Sequence, residues 1–371
     1  MENVLIMKYL KNNCYSEGTF TELVLSDSEG FSVNSARRIS CRFVLSGRGF
    51  LATLGMTIVI YLLSATNSFA QQDALYSQYL FNPLVLNPAF AGSKNGLSAV
   101  LLHRSQWLGF DGAPTTQSFS IHSPLYVKGH TTLIHKSTVT KGKSQFWKKT
   151  GLGLNIVNDK IGPNNNLGVF GSYAYRLPLG PGTLAMGLRA GLLRYQIDWD
   201  KIDYYNPEPG RNNVSSVFIP GFDFGLHYYT PEFFFGAALN NLSKPKIAID
   251  EAGNKIEAYL YRHLMVNSGF AMKINKNVIF QPSLLFRYVK NSPLDFDINA
   301  NFLFYDKFWL GTGYRLGYGM VFLTQYYITD KFKVGYAYDA SFNKIKSVVG
   351  GSHEILIGYD FAKKTIAKAF F

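Results

Sequence analysis

The 371-residue sequence predicts an all-β fold, a transmembrane antiparallel β-barrel of about 14 strands that follows a short irregular N-terminal lead-in. Three observations predict this fold: apolar residues recur at every second position from residue 97 onward, many of these segments are long, and the links between them alternate between short and long. A period of two is that of a strand with one apolar face. Strands that cross a bilayer need roughly 9 to 11 residues, a length that many of these segments reach.

The segments place aromatic and aliphatic side chains on one face and small or polar side chains on the other. Phe222, Phe224 and Leu226, for example, alternate with Asp223 and Gly225. The same alternation gives fourteen candidate strands, near 97–107, 114–123, 151–158, 165–177, 183–197, 220–230, 232–241, 260–272, 277–290, 293–305, 308–317, 319–330, 332–341 and 352–361. The polar face is predicted to form the wall of a lumen, with Asp223, His227, Asp297, Asn299, Asn301, Asp339 and Asp360.

Link lengths test the barrel independently, because outer-membrane barrels have short periplasmic turns and longer external loops. The links predicted to be periplasmic are 178–182, Thr230-Pro231, 273–276, Asp306-Lys307 and Asp330-Lys331, all of them tight. The opposite set includes 198–219, 242–259 and 342–351. One link breaks the rule, the long basic segment 124–150, which by this count faces the periplasm. A soluble sandwich or propeller is the alternative, but strand length, link parity and 16% aromatic residues favour the membrane barrel.

The N-terminal residues are typical of a secretory signal. Four arginines between residues 37 and 48 precede an apolar run at 50–66, and Ser68-Phe69-Ala70 has the small-x-small pattern of a cleavage site. A transmembrane helix is the alternative, but the run is short for a bilayer and ends in a cleavage site, so we expect cleavage after Ala70. The predicted organisation is an atypical leader (1–49), a signal peptide (50–70), an irregular, plug-like lead-in (71–96), an outer-membrane β-barrel (97–361) and a C-terminal tail (362–371).

Composition argues against several classes of function. Cys14 and Cys41 both precede the cleavage site, so the exported chain would have no disulfide and no thiol nucleophile. The formal net charge is +13, but lysines such as Lys143 and Lys149 lie in predicted loops, and we expect no nucleic-acid partner. The histidines show no metal-ligand spacing, and no G-x-S-x-G sequence is present. We therefore expect no metal, no cofactor and no catalytic residues, and we expect that the protein is not an enzyme.

Two Asn-Pro steps, Asn82-Pro83 and Asn87-Pro88, are the most distinctive feature of the lead-in. Each proline fixes φ and disfavours helical backbone at the preceding asparagine, so this segment should be extended or turn-like. The candidate residues for partner binding or for a plug are Asn82, Pro83, Asn87, Pro88, Ala91 and Gly92, with Arg104 and Trp107 at the start of the barrel. Two interpretations are open: the segment seals the periplasmic mouth, with Arg104 satisfying its carbonyl groups, or it docks a periplasmic or translocon partner.

Two blocks of sequence carry a family resemblance. The first is QYLFNPL at 78–84 followed by NPAFAG at 87–92, and the second is HRSQW at 103–107 followed by GFDGAP at 109–114. Their order and spacing resemble the PorP/SprF family of the type IX secretion system in the Bacteroidetes.

The resemblance implies a multi-pass barrel of the cell outer membrane that assists secretion or cell-surface attachment of partner proteins, often alongside gliding-motility components. The partners that it implies are the type IX secretion machinery and secreted surface proteins that carry a type IX C-terminal signal, together with outer-membrane lipid. The alternative function is a passive or substrate-specific outer-membrane channel of the porin kind.

Overall fold

The computed structural model describes residues 76–94, 96–125, 149–201, 214–251, 254–290, 292–342 and 350–361, with the backbone alone given between 247 and 258. All of them belong to one compact unit, Ala65–Phe371. The predicted leader, signal peptide, cleavage site at Ala70 and C-terminal tail lie outside the described residues, as does most of the basic link 124–150. In the described ranges, no helix is long and apolar enough to cross a membrane.

Fourteen antiparallel strands close into a barrel, which confirms the predicted fold class. The strands of the chain are β1 (Ser98–Ser105), β2 (Thr115–Pro124), β3 (Thr150–Ile161), β4 (Asn164–Leu179), β5 (Gly182–Asp198), β6 (Val214–Tyr229), β7 (Phe233–Asn240), β8 (Lys246–Glu251), β9 (Asn254–Tyr259), β10 (His263–Phe270), β11 (Met272–Asn275), β12 (Val278–Val289), β13 (Asp295–Phe304), β14 (Phe308–Arg315), β15 (Gly319–Tyr327), β16 (Phe332–Ser341) and β17 (Ser352–Asp360). The pair β8–β9 is a separate hairpin, and β11 continues β10 along β12. The pairing of β1 with β17 joins the two ends of the barrel.

Each of the fourteen predicted segments overlaps one barrel strand, and the differences lie at the boundaries. The strand β6 begins at Val214, six residues before the predicted start at residue 220. Proline lacks an amide N–H and commonly marks the end of a strand, but here β6 continues through Pro220, which lies opposite Leu192 of β5. The β8–β9 hairpin is a difference from the sequence-based expectation of a loop, because its residues lie in a polar link without a sustained alternation.

The outer face of the barrel is apolar and its inner face is polar, as the alternation predicted. Phe222 and Ile298 point outward with 48% and 55% of their surface exposed, whereas the adjacent residues Asp223 and Asn299 point inward and are 3% and 5% exposed. An apolar outer surface of this kind suits contact with lipid.

Six of the seven residues predicted to line the lumen are buried inside it: Asp223, His227, Asp297, Asn299, Asn301 and Asp339. The seventh, Asp360, ends β17 at one mouth of the barrel, where its carboxylate accepts a hydrogen bond from Lys94 Nζ at 2.6 Å.

The two ends of the barrel differ in their links. We call the end at which β1 begins and β17 ends the near mouth, and the opposite end the far mouth. The tight near-mouth links are 180–181, 230–232, 276–277, 305–307 and 328–331, whereas the longest far-mouth links are 199–213, 241–262 and 342–351. The predicted parity therefore holds. The strand β2 ends and β3 begins at the near mouth, and the assignment of that mouth to the periplasm stays a prediction.

The lead-in consists of three short 3-10 turns, Tyr79–Phe81, Pro83–Val85 and Pro88–Phe90, and is irregular as predicted. Both prolines stand at the first position of a turn, where a missing N–H costs nothing and the fixed φ suits the turn. Asn87 precedes the third turn with extended backbone, and its side-chain oxygen accepts a hydrogen bond from Ala89 N at 2.9 Å.

Candidate functional site in the barrel lumen

The lead-in runs inside the barrel. Residues Tyr76–Gly92, called the lumen segment below, begin in the far half of the lumen, where Ser77 meets Asp339 and Glu354 near the far ends of β16 and β17. The segment ends at the near mouth, where Gly92 N donates a hydrogen bond to His122 Nδ1 at 3.1 Å. It therefore crosses much of the length of the lumen.

An apolar core forms inside the barrel between the lumen segment and the wall. Its buried members are Tyr76, Tyr79 and Leu86 of the segment and Val100, Leu102, Ala238, Met265, Leu285 and Leu356 of the strands. Phe81 adds an edge-to-face contact with Trp309, with ring centroids 5.6 Å apart. Burying an apolar side chain of this size contributes about 1.5–3 kcal/mol to stability, so packing alone holds the segment in the lumen.

The start of the lumen segment is held by two carboxylates of the wall. Glu354 accepts hydrogen bonds from two consecutive backbone amides, Ser77 N at 2.8 Å and Gln78 N at 2.7 Å. Asp339 accepts one from Ser77 Oγ at 2.7 Å. Hydrogen bonds to ionised acceptors are about twice as strong as neutral ones, and here all the partners are buried.

Arg104 completes this cluster from β1. Its Nη1 donates to Ser77 Oγ at 2.7 Å and to Glu354 at 3.1 Å, and its Nη2 donates to Asp339 at 2.7 Å. Its side chain is fully buried, so removal of both carboxylates would leave its charge uncompensated. The prediction that Arg104 satisfies the carbonyl groups of the lead-in is wrong, because its described partners are two carboxylates and a hydroxyl.

Three other arginines bind carbonyl groups of the lumen segment. Arg315 Nη2 donates to Tyr76 O at 3.4 Å, and Arg189 Nη1 donates to Val85 O at 2.9 Å. Arg176 Nη2 donates to Ala91 O. These arginines lie on β14, β5 and β4, so the backbone of the segment is bound from several sides of the wall.

Wall carboxylates hold two of these arginines in place. Arg315 also donates to Asp297, at 2.9 Å from Nε and 3.1 Å from Nη2. Arg189 pairs with Asp223 through its Nε. A guanidinium bound in this way keeps the orientation that its contact with the segment requires.

The second Asn-Pro step fits between two wall glycines. Asn87 Nδ2 donates to Leu226 O at 2.9 Å. A Cβ atom at Gly225 would lie 2.0 Å from Asn87 Oδ1, and one at Gly187 would lie 2.2 Å from Ala89 N. Only glycine permits this close approach, because the atoms it would meet belong to a buried side chain and to the backbone.

Ala91 and Gly92 close the segment against β2 and β3. Ala91 is fully buried, and its carbonyl oxygen would lie 2.3 Å from a Cβ at Gly151. Gly92 has φ = 66°, a conformation that glycine adopts without strain. The two residues thus turn the chain out of the lumen toward β1.

Two groups of the lead-in have shifted pKa values. Burial, together with the negative charge of Asp297, raises the pKa of Tyr79. Desolvation, and then the positive charge of Lys333, lowers the pKa of Lys94 to about 8. Tyr79 is therefore neutral and Lys94 charged at neutral pH, which preserves the ion pair between Lys94 and Asp360.

The structure brings most of the predicted site residues together, but not all of them. Asn82, Pro83, Asn87, Pro88, Ala91 and Gly92 lie in the lumen segment, and Arg104 binds its start. Trp107 lies apart, in the far-mouth link between β1 and β2, where its backbone N–H donates to Ser352 Oγ at 3.4 Å. It is therefore not part of the lumen cluster.

Sequence reasoning missed several residues that hold the lumen segment: Ser77, Glu354, Arg176, Arg189 and Arg315. A signal was present in the sequence, because inward charges lie opposite each other on neighbouring strands. Arg104 lies opposite Glu354, and Arg315 lies opposite Asp297. Finding such pairs requires the register between strands, which the alternation of each strand does not give.

Several charged groups of the lumen bind the segment: Arg104, Arg189, Arg315, Asp339 and Glu354. Among the described residues, no group of three or more His, Cys, Asp or Glu side chains is arranged to bind a metal ion. The arrangement as a whole, an antiparallel barrel with an apolar outer face and a lumen filled by its own N-terminal segment, defines an outer-membrane β-barrel protein.

Comparison with known proteins identifies the family. The model of the PorP/SprF family, described as type IX secretion system membrane protein PorP/SprF, matches residues 68–359, and the chain belongs to this family. It is thus a multi-pass protein of the outer membrane that crosses the bilayer with its strands. No match was found among curated proteins.

Solved structures of outer-membrane proteins match the chain at low sequence identity. The outer membrane protein Omp33 of Acinetobacter baumannii is 10% identical, with a TM-score of 0.39 over 72% of this chain and 98% of that one. A FadL homologue of Pseudomonas aeruginosa is 10% identical, with a TM-score of 0.35 over 72% and 89%. The translocator domain of the autotransporter NalP of Neisseria meningitidis is 12% identical, with a TM-score of 0.35 over 84% and 98%.

Proposed function

We propose that this protein is a non-enzymatic component of the type IX secretion system that assists secretion or cell-surface attachment of partner proteins, together with gliding-motility components where these are present. On this proposal the lumen segment keeps the barrel closed. The supporting observation is the occupied lumen, in which the segment Tyr76–Gly92 is bound from its start in the far half to its end at the near mouth. Such a lumen favours action on partner proteins over free passage of solutes.

The contacts of the segment support a plug more than a docking site. Asn82 and Asn87, which were candidates for partner binding, are only 3% and 2% exposed. A partner at the near mouth could reach them only if the segment left the lumen. Withdrawal would break the buried hydrogen bonds that Ser77 donates to Glu354 and Asp339, and a buried acceptor that loses its donor costs free energy.

The proposal assigns partners to different surfaces. The type IX machinery and the secreted surface proteins would contact the mouths of the barrel, and outer-membrane lipid would contact its apolar outer face. The proposed function includes no catalytic step.

Deletion of the whole gene tests the proposed function. We expect specific surface proteins to be lost from the cell surface, measured by proteomics of intact cells, while uptake of small solutes is unchanged. Reduced solute uptake with an unchanged set of surface proteins would instead establish a channel and overturn the proposal.

Deletion of residues 72–92 separates a plug from a docking segment. The assembly of the barrel is measured by its heat-modifiable mobility in gels, and the export of partners is measured separately. A plug predicts impaired assembly or a leaky barrel. A barrel that assembles normally and stays closed, but no longer supports export, would favour docking.

A further inference from the structure

A separate cavity lies at the far mouth, above the lumen segment. Its volume is about 370 Å³, and Tyr76, Val85 and Leu86 of the segment form its floor. Its walls come from the far halves of β3, β4 and β5 and from residues of β6, β7, β9 and β10. This volume falls in the range of small-ligand sites, roughly 300–1,000 Å³.

Two deeply buried side-chain amides line this cavity with unpaired oxygen atoms. Asn155 of β3 is 1% exposed and donates from Nδ2 to Ser120 Oγ at 3.0 Å, while its Oδ1 has no partner among the described residues. Asn240 of β7 is 4% exposed, and its Oδ1 also has no partner among the described residues. A third unpaired Oδ1 belongs to Asn166 of β4. Each buried acceptor without a partner costs about 1–3 kcal/mol, so a ligand that donates hydrogen bonds here would be favoured.

The positions of these acceptors set the size of the ligand. The strands β3 and β7 are separated in the barrel wall by β4, β5 and β6. Neighbouring strands lie about 4.8 Å apart, so Asn155 and Asn240 lie too far apart to meet at a single atom. A ligand that satisfies both must carry several donors spread over its length.

The other lining groups set the chemical character of the ligand. Arg189 is the one arginine or lysine among the described lining residues, and it already binds Asp223 and the carbonyl of Val85. An anionic ligand would therefore find no free cation there. Tyr195 and Tyr259 add aromatic rings to the lining, and such rings suit the apolar faces of sugars.

We propose that the far-mouth cavity binds a neutral oligosaccharide of two or three sugar units. Its hydroxyl groups would donate to Asn155 Oδ1 and Asn240 Oδ1, and its sugar rings would pack on the tyrosines. A peptide fits less well, because it brings as many carbonyl acceptors as N–H donors, whereas the unpaired atoms of Asn155, Asn166 and Asn240 are all acceptors.

Isothermal titration calorimetry on the purified full-length barrel in lipid nanodiscs tests this site. The probes are maltotriose, cellotriose and chitotriose, with trialanine as the peptide. We expect at least one saccharide to bind, and we expect Asn155→Leu and Asn240→Leu each to weaken that binding roughly tenfold through loss of one hydrogen bond.

The matched control is Asn301→Leu, since Asn301 is also a fully buried, unpaired lumen amide but does not line the cavity. The Asn301→Leu variant should bind the saccharide with the same affinity as the unaltered protein. If Asn155→Leu does not assemble, the saccharide affinities of Asn240→Leu and Tyr195→Leu test the site instead. The proposal is overturned if none of the three saccharides binds, if the cavity variants bind as well as the control, or if trialanine binds in their place.

Discussion

Arg104 on the first strand and Glu354 on the last lie directly opposite each other at the seam where the barrel closes, and Ser77 binds both. Arg104 Nη1 donates to Ser77 Oγ at 2.7 Å, and Ser77 N donates to Glu354 Oε2 at 2.8 Å. The same buried cluster therefore joins the two end strands and binds the start of the lumen segment. We expect closure of the barrel and binding of the segment to be coupled.

Replacement of Arg104 tests this coupling. Arg104→Met leaves Glu354 buried without its cation and leaves Asp339 only Arg315 Nη1, at 3.5 Å. Breaking a buried ion pair typically costs 3 to about 5 kcal/mol. We expect a corresponding loss in the free energy of unfolding, measured by urea titration in detergent micelles. The triple variant with Asp339→Asn and Glu354→Gln should recover part of the loss, because it removes the unpaired charges as well. An unaltered unfolding midpoint for Arg104→Met would contradict the role of the cluster.

The ion pair at the near mouth should matter far less. Lys94 and Asp360 are 2.6 Å apart, but their side chains are 21% and 18% exposed. Partly solvated ion pairs contribute only about 0–1 kcal/mol. Lys94→Met should therefore lower the free energy of unfolding by at most about 1 kcal/mol in the same titration. A loss as large as that of Arg104→Met would show that the near mouth, and not the seam, anchors the lead-in.

The close approach of the lumen segment to β5 predicts a strong effect of a single methyl group. In Gly187→Ala the new Cβ would lie 2.2 Å from Ala89 N, so the segment has to shift. The control is Gly171→Ala, whose new Cβ would have its nearest neighbour at 3.9 Å. With Leu84→Cys as a buried reporter, we expect thiol labelling by a maleimide to accelerate in Gly187→Ala and not in Gly171→Ala. Equal labelling rates in the two variants would show that the segment does not lie in close contact with β5 at Gly187.

A disulfide can fix the lumen segment to the wall. A Cβ at Gly153 would lie 3.4 Å from Ala91 Cβ, close to the separation of about 3.5–4.5 Å found in disulfides. We expect the Ala91→Cys, Gly153→Cys pair to oxidise, detected as a mobility shift on reduction, and to leave export of surface proteins intact. Export that is lost in the oxidised variant and restored by reductant would show that the segment has to move. Each single cysteine variant serves as a control.

The alternation of side chains sufficed to predict the barrel, its fourteen strands and the polar residues of its wall. A strand exposed to lipid on one face and to a lumen on the other repeats every two residues, and Phe222 and Asp223 show this period directly. The unpredicted β8–β9 hairpin lies outside the barrel wall, in a polar link whose sequence predicts a loop.

The contacts of the lead-in could not be predicted from the same pattern. The two Asn-Pro steps indicated an irregular segment, but not that Asn87 would lie against Gly225 and Ala89 against Gly187, on strands about 100 or more residues later. Likewise, Arg104 and Trp107 are three residues apart in sequence, yet only Arg104 reaches the lumen segment. Such contacts depend on strand register and on the path of the chain through the barrel, which are set by long-range packing.

Single-channel recording of the purified, unaltered protein in planar lipid bilayers tests the central claim most directly. Because the segment Tyr76–Gly92 fills the lumen and is bound by buried charges and an apolar core, we expect no sustained conductance. A stable ohmic conductance of porin size from the unaltered protein would contradict the account, since it would show a lumen open to ions with the segment still part of the chain.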